Sequence, residues 1–223
     1  MTAAESPAAR SRLAARPASI RTDLRLIAEM IEPESRVLDI GCGDGALLDY
    51  LVHFKQVVGR GLELSQAGVN ACVSQGLSVV QGDADQDLSD YPDGAFDYVV
   101  LSQTLQATHD PRAVLEQLVR IGRHAIVSFP NFGYWKLRVG LLFKGRMPVT
   151  ASLPDQWYET QNIHLCTILD FLELARRCGL DIEQSLMLDE RGDAKPLGSE
   201  AIANLTATDA VFLLKRGGTE AAR

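Results

Sequence analysis

Three glycines spaced two apart, Gly41, Gly43 and Gly45, follow directly on the run Val37-Leu38-Asp39-Ile40, and an apolar helix pattern begins at Ala46. A strand that passes into a helix through such glycines makes a nucleotide-binding loop. Glycine supplies positive φ, and the missing Cβ lets a ligand reach the main chain. The segment Gly41-Cys42-Gly43-Asp44-Gly45-Ala46 also satisfies the looser dinucleotide fingerprint G-x-G-x-x-G/A. Asp39 separates the alternatives. A pyrophosphate at the following helix N-terminus would be repelled by a carboxylate two residues before the first glycine. A ligand with ammonium and sulfonium charges and no phosphate would be attracted to it.

Two more carboxylates stand where an adenosine cofactor would need them. Residues 57–63 read as a second strand ending in Glu63, 18 residues beyond Gly45, the right distance for a carboxylate to accept hydrogen bonds from ribose hydroxyls. A helix over 65–75 and a third strand over 77–81 lead into Gly82-Asp83-Ala84. The glycine segment resembles motif I of class I S-adenosylmethionine-dependent methyltransferases. That resemblance implies S-adenosyl-L-methionine or S-adenosyl-L-homocysteine held by Asp39, Gly41, Cys42, Gly43 and Gly45, with Glu63 and Leu64 beside the ribose. It also implies that Asp83, between Gly82 and Ala84, meets the adenine amino group, and that Ser102 borders the site. A nicotinamide-dependent oxidoreductase stays open through the glycines alone, and Asp39 and Asp83 weigh against it.

Helices and strands alternate along the rest of the chain, the pattern of a parallel sheet covered on both faces. Residues 97–101 form a buried fourth strand running out into Ser102-Gln103-Thr104-Leu105-Gln106, at the carboxyl edge where doubly wound folds bind ligands. Pro111 opens a helix with Asp110 as its N-cap and Val114, Leu115, Leu118 and Ile121 on the buried face. A fifth strand over 125–129, a helix over 168–178 closed by Gly179, and an antiparallel hairpin edge from 182–188 and 210–215 complete the order. The expectation is a doubly wound α/β fold, a seven-stranded, mostly parallel, Rossmann-like sheet with an antiparallel C-terminal edge and an insertion after the fifth strand. That antiparallel tail resembles the methyltransferase fold, whereas dinucleotide dehydrogenases usually keep the sheet parallel to its end.

Composition bounds the function classes. With 223 residues and 46% hydrophobic content, the chain can bury one sizeable core, so a single domain over 21–216 is expected, with flexible tails at 1–20 and 217–223. No apolar run approaches the ~20 residues of a membrane span, and the expected location is the cytoplasm. Cys42, Cys72, Cys166 and Cys178 lack metal-ligand spacing and read as reduced thiols. The net charge is −7; residues 1–25 carry five arginines against Glu5 and Asp23, a net of +3 that leaves −10 on the remainder. An acidic body disfavours nucleic acid, whose binding rests on phosphate contacts. A small molecule or a protein is the expected partner.

Residues 131–167 form an insertion that is long for a connection inside one domain, and such segments serve as lids or docking surfaces. It concentrates Tyr134, Trp135, Trp157 and Tyr158 with Lys136, Arg138, Lys144 and Arg146 in a chain that is 6% aromatic. Its runs S-F-P-N-F-G-Y-W from Ser128, G-R-M-P-V-T from Gly145 and W-Y-E-T-Q-N-I-H-L-C-T from Trp157 are not general methyltransferase motifs. On them the chain, from about Asp23 to Lys215, resembles the MetW family of methionine-biosynthesis proteins. It departs at Asp155, where an aromatic residue is expected, and at Gln161, where proline is.

The family resemblance implies work alongside homoserine O-acyltransferase of the MetX type, with S-adenosylmethionine sensed here to adjust that enzyme. The competing reading is methyl transfer to a small acceptor, positioned for in-line attack. Its candidate groups on the carboxyl edge are Gln106, His109, Asn131 and Tyr134. His109 offers an imidazole as a general base, yet its place before an Asp-Pro helix start suits a solvent-exposed turn. His53 and His124 belong to the other edge of the sheet and read as structural; His164 lies in the insertion. The exit of the fourth strand lacks the Asp/Asn-Pro-Pro-Tyr signature of amine methylation on bases or glutamine.

Overall fold

The computed structural model describes residues 20–150 and 153–218. Helix α1 (Thr22–Met30) precedes β1 (Arg36–Ile40), α2 (Ala46–Lys55), β2 (Val58–Glu63), α3 (Gln66–Ser74) and β3 (Val79–Gln81). Then come β4 (Phe96–Ser102), α4 (Pro111–Ile121), β5 (Gly122–Pro130), α5 (Trp135–Lys144), α6 (Ile168–Arg177) and β6 (Leu180–Leu188). Strand β7 (Ala194–Pro196), α7 (Glu200–Thr206) and β8 (Asp209–Arg216) close the described chain.

The sheet runs β3-β2-β1-β4-β5-β8-β6-β7. Strands β1 to β5 pair in parallel, and β8, β6 and β7 add antiparallel. The Rossmann-like α/β expectation holds, with two corrections. The sheet has eight strands, because Ala194, Lys195 and Pro196 pair with Leu188, Met187 and Leu186 respectively; three exposed residues carry no apolar alternation to announce a strand. Strands β6 and β8 do pair antiparallel, but β7 and α7 lie between them, so they are not a hairpin.

Period-2 alternation splits the central strands between two apolar layers. Leu38, Ile40, Val99, Leu101, Val127 and Phe129 pack under α4 and α6, where Phe129, Phe171 and Phe212 cluster with ring centroids 4.6–5.8 Å apart. Val37, Tyr98, Val100 and Ile126 face α1 and α2 through Leu24, Ile27, Leu47 and Leu51. Local signals fix the helix starts. The Asp110 side chain accepts from Ala113 N at 3.0 Å with Pro111 at the first position, and Thr167 with Asp170 makes a capping box. Among the described residues no helix is long and apolar enough to cross a membrane. Most of the expected tails, residues 1–19 and 219–223, lies outside the described chain.

Candidate functional site

Strand order reverses between β1 and β4, and the crevice at their carboxyl ends is where doubly wound sheets bind ligands. The glycine turn opens there. Gly41, Gly43 and Gly45 take φ of +68°, +57° and +82°. A Cβ on Gly41 would stand 2.5 Å from Thr104 Oγ1, just past β4, so the turn and the exit of β4 are packed backbone to side chain. At Gly43 no described atom lies within 4 Å of that position. Gly41 is thus a packing glycine, and Gly43 presents bare main chain to the crevice. Cys42 turns inward to a small core with Leu48, Cys72 and Leu77, its Sγ 4.0 Å from that of Cys72. Burial pushes both thiols up, so Cys42 offers this turn its backbone.

The three acids come to the same edge. Glu63 ends β2, and its carboxylate accepts from Gly43 N at 2.8 Å and Ser65 N at 2.9 Å. Asp39, only 2% exposed, lies in β1 on the face of Val37. Burial first, and then the charge of Glu63, push its carboxyl up to about 7. Asp83 follows β3 and accepts from Asp85 N at 2.9 Å and Gln86 Nε2 at 2.8 Å. Gly82 is held to β2 through its N–H to Glu63 O at 3.0 Å; a Cβ there would meet Leu62 Cδ1 at 2.5 Å. Ala84 packs against the main core, Leu64 is exposed, and Ser102 Oγ is 3.1 Å from Ser128 Oγ.

Asp85 ties this turn to the start of α4. Its carboxylate accepts from the N–H groups of His109 (2.9 Å) and Asp110 (3.1 Å) and sits 3.1 Å from His109 Nδ1. Burial is the largest single influence and opposes its charge, but the two amides and the His109 side chain together outweigh it and hold the carboxyl below the usual carboxylate range. His109 itself is largely exposed and serves as a clasp. His124 lies 2.7 Å from Glu183 at the opposite edge.

A cavity of about 760 Å³ opens at the same carboxyl edge, lined by Gln103, Pro130 and Asp209 and by none of the turn's residues or the three acids. Of the four acceptor-side candidates, Asn131 and Tyr134 line it, while Gln106 and His109 do not. Asn131 is fully engaged: its amide donates to Asn204 O and Ala207 O at 2.9 Å, and its Oδ1 accepts from Gly133 N and Ile168 N. The carbonyl of Gln106 accepts from Ile163 N and His164 N at 2.7 and 2.9 Å, so it pins the insertion down. Its buried side-chain amide has no hydrogen-bond partner among the described residues.

The cavity also exposes a cluster that sequence reasoning missed. Arg21 pairs with Asp23 at 2.7 Å, and Gln103 Nε2 donates to Asp209 Oδ1 at 3.1 Å. The hydrogen bond to Asp23, then the charges of Asp209 and Asp44, outweigh burial and raise the Arg21 guanidinium further. A structural signal accompanies the cluster: Gln103 sits at φ +55°, a sparsely populated conformation that Glu34 and Gln56 also take at the other end of the sheet. Three distant segments build the cluster, so spacing could not reveal it.

The residues suit S-adenosylmethionine better than a dinucleotide. Asp39 and Glu63 crowd two like charges at the helix start, which disfavours a pyrophosphate and favours a cationic ligand. Gly43 leaves the main chain open to close approach.

Comparison with known proteins places the chain. The model of the family described as methionine biosynthesis protein MetW matches residues 21–214. A curated relative, the bifunctional methionine biosynthesis protein MetXA/MetW of Rhodopirellula baltica, is 32% identical over 207 residues, covering 89% of this chain and 33% of that protein. The chain therefore spans about a third of that relative's length. Among solved structures, a SAM-dependent methyltransferase of Thermotoga maritima is similar with a TM-score of 0.64 at 18% identity, covering 87% of each chain. The TehB-like SAM-dependent methyltransferase of Corynebacterium glutamicum is similar at 0.58 and 24% identity, covering 94% of this chain and 95% of that one. At those identities the likeness establishes the fold alone. The chain belongs to the MetW family of methionine biosynthesis proteins.

Proposed function

We propose that this chain binds S-adenosylmethionine at the glycine turn and, so loaded, adjusts a homoserine O-acyltransferase in the cytoplasm. The cofactor's ammonium and sulfonium lie toward Asp39, its ribose hydroxyls reach Glu63, and its adenine amino group meets Asp83. Leu64, Gly82, Ala84 and Ser102 border it. The observation that carries the reading is the buried Asp39 carboxyl, pushed up to about 7 beside Glu63 and three left-handed glycines. Keeping such a carboxyl in a core is costly, and a bound cation offsets the cost.

The partner half rests on the relative in which MetXA and MetW form one chain. Joining two proteins raises their effective concentration and is useful where they act together. Linkage between the two sites must be reciprocal: if the cofactor changes affinity for the acyltransferase, the acyltransferase changes affinity for the cofactor by the same factor. A second reading, methyl transfer from S-adenosylmethionine to a small acceptor, draws support from the 760 Å³ cavity at the same carboxyl edge of the sheet.

Purified acyltransferase from the same organism, titrated with this protein with and without S-adenosylmethionine, tests the proposal. Saturable stimulation that depends on the cofactor is expected. A flat response in both arms removes the partner reading and leaves methyl transfer.

A further inference from the structure

Helix α5 is anomalous for a surface helix. Six of the ten residues in its sequence WKLRVGLLFK are apolar side chains, yet Leu137 alone is buried. At about 100° per residue, Leu137 and Leu141 point one way, and Trp135, Val139, Leu142 and Phe143 form a stripe on the opposite face. Leu137 meets Tyr134 and Leu153 in a small satellite cluster. On the other face Leu142 is 76% exposed and Phe143 80%, with Trp135 and Val139 exposed beside them. Two opposed apolar stripes separated by Lys136 and Arg138 are one more than a surface helix of one domain needs, and the described chain buries Leu137 on the inner stripe while Leu141 stays half-exposed. Contiguous exposed apolar surface of this kind marks an interaction site.

We infer that the outer face of α5 is where the homoserine O-acyltransferase docks; the inference rests on the partnership proposed above. Two observations choose this occupant. In the Rhodopirellula relative, the part homologous to this chain is 33% of a protein that also carries MetXA, so there the two parts are tethered in one chain. Charge also frames the stripe. Lys144 and Arg146 follow it without an ion-pair partner among the described residues, on a chain of net charge −7. An apolar patch on the partner bordered by carboxylates would match it, with aromatic residues at the centre as interfaces favour. The inner side of the helix carries contact inward, since Tyr134, Lys136 and Leu137 line the 760 Å³ cavity.

The test is titration calorimetry of the full-length protein against purified acyltransferase from the same organism, comparing wild type with the double variant Leu142→Glu/Phe143→Glu. Both side chains are exposed, so the variant should fold, and S-adenosylmethionine affinity within twofold of wild type verifies that it has. The expected result is at least a tenfold loss of acyltransferase affinity. The milder variant Lys144→Glu/Arg146→Glu should lose several-fold, and more at low salt. Equal binding by wild type and the Leu142/Phe143 variant overturns the assignment of this face while leaving the partnership standing. No binding by wild type overturns the partnership and the docking face together. Two outcomes would reassign the face: a dimer of wild type in light scattering that the double variant abolishes, or cosedimentation of wild type, but not the variant, with anionic phosphatidylserine vesicles.

Discussion

The glycine turn and the insertion helix α5 lie at the same carboxyl edge of the sheet and obey opposite rules. At the turn the side chains are matched inside the chain, with main chain left open at Gly43: Thr104 fills the space a Cβ on Gly41 would need, Cys42 and Cys72 close the floor, and Glu63 is held by two backbone amides. At α5 the apolar side chains outnumber their internal partners, and Leu142 and Phe143 face outward. Folding and a small ligand suffice to explain the first region. The second makes sense only with something outside the chain, so the two should respond to mutation in opposite ways.

The sharpest way to break this comparison is to make the same substitution in both. Gly41→Ala puts a Cβ at φ +68° and 2.5 Å from Thr104 Oγ1, and should cost roughly 2–5 kcal/mol in urea unfolding from strain plus overpacking. Gly140→Ala lies inside α5, where the added Cβ meets nothing within 4 Å, and should stabilise by about 0.5–1 kcal/mol through helix propensity. Equal signs at the two sites would erase the distinction.

Asp39 gives the next largest effect, and its direction depends on pH. Its carboxyl moves from an ordinary 3.8 up to about 7 through burial and the charge of Glu63. Below about pH 4 it is neutral in both folded and unfolded states and costs nothing. Between about 4 and 7 unfolding releases a proton, so stability falls as pH rises, by of order 4 kcal/mol in total. Asp39→Asn should therefore gain roughly 2–4 kcal/mol over wild type at pH 8 and little at pH 4, while S-adenosylmethionine binding is lost. In wild type, a cationic ligand selects the ionised carboxylate, so affinity should rise up to about tenfold from pH 6 to pH 8. Calorimetry showing no pH dependence would detach Asp39 from the ligand.

Asp85 tests how firmly the Gly82-Asp83-Ala84 turn is clasped. Its carboxyl is held low by the His109 and Asp110 amides against burial, so its contribution is present above about pH 4 and is lost as pH falls through its depressed value. Asp85→Asn should cost about 1–3 kcal/mol at pH 7 and progressively less as pH falls below about 4. An unchanged midpoint at pH 7 would mean that the turn is held from elsewhere.

What could be read from the sequence follows the same divide. Strands β1, β2, β4 and β5, the cap at Asp110 and the acids at the ends of β1, β2 and β3 were legible because a local pattern specifies each: glycine spacing, apolar runs, an Asp-Pro start. Helix α5 was not, since amphipathic periodicity announces a surface helix and this one is apolar on both faces. Strand β7 is three exposed residues held by pairing alone. The Arg21, Asp23, Gln103 and Asp209 cluster is joined only by tertiary folding, and no spacing rule brings those segments together.

The smallest expected effect separates a loop folded on itself from a surface awaiting a partner. Trp157 and Tyr158 stack edge to face at 5.7 Å, and both are exposed, Trp157 at 71%. An aromatic cluster that holds its own loop would lose roughly 3–5 kcal/mol when a buried tryptophan is cut to alanine. A tryptophan displayed to solvent loses almost nothing. Trp157→Ala should therefore change the unfolding free energy of the isolated protein by no more than about 0.5 kcal/mol. Measured again with saturating acyltransferase, wild type should be stabilised by mass action, and a tryptophan at the interface centre would take part of that increment with it. Loss of stability without the partner would make this segment self-packed like the glycine turn and return the explanation of its aromatics to the interior of the chain.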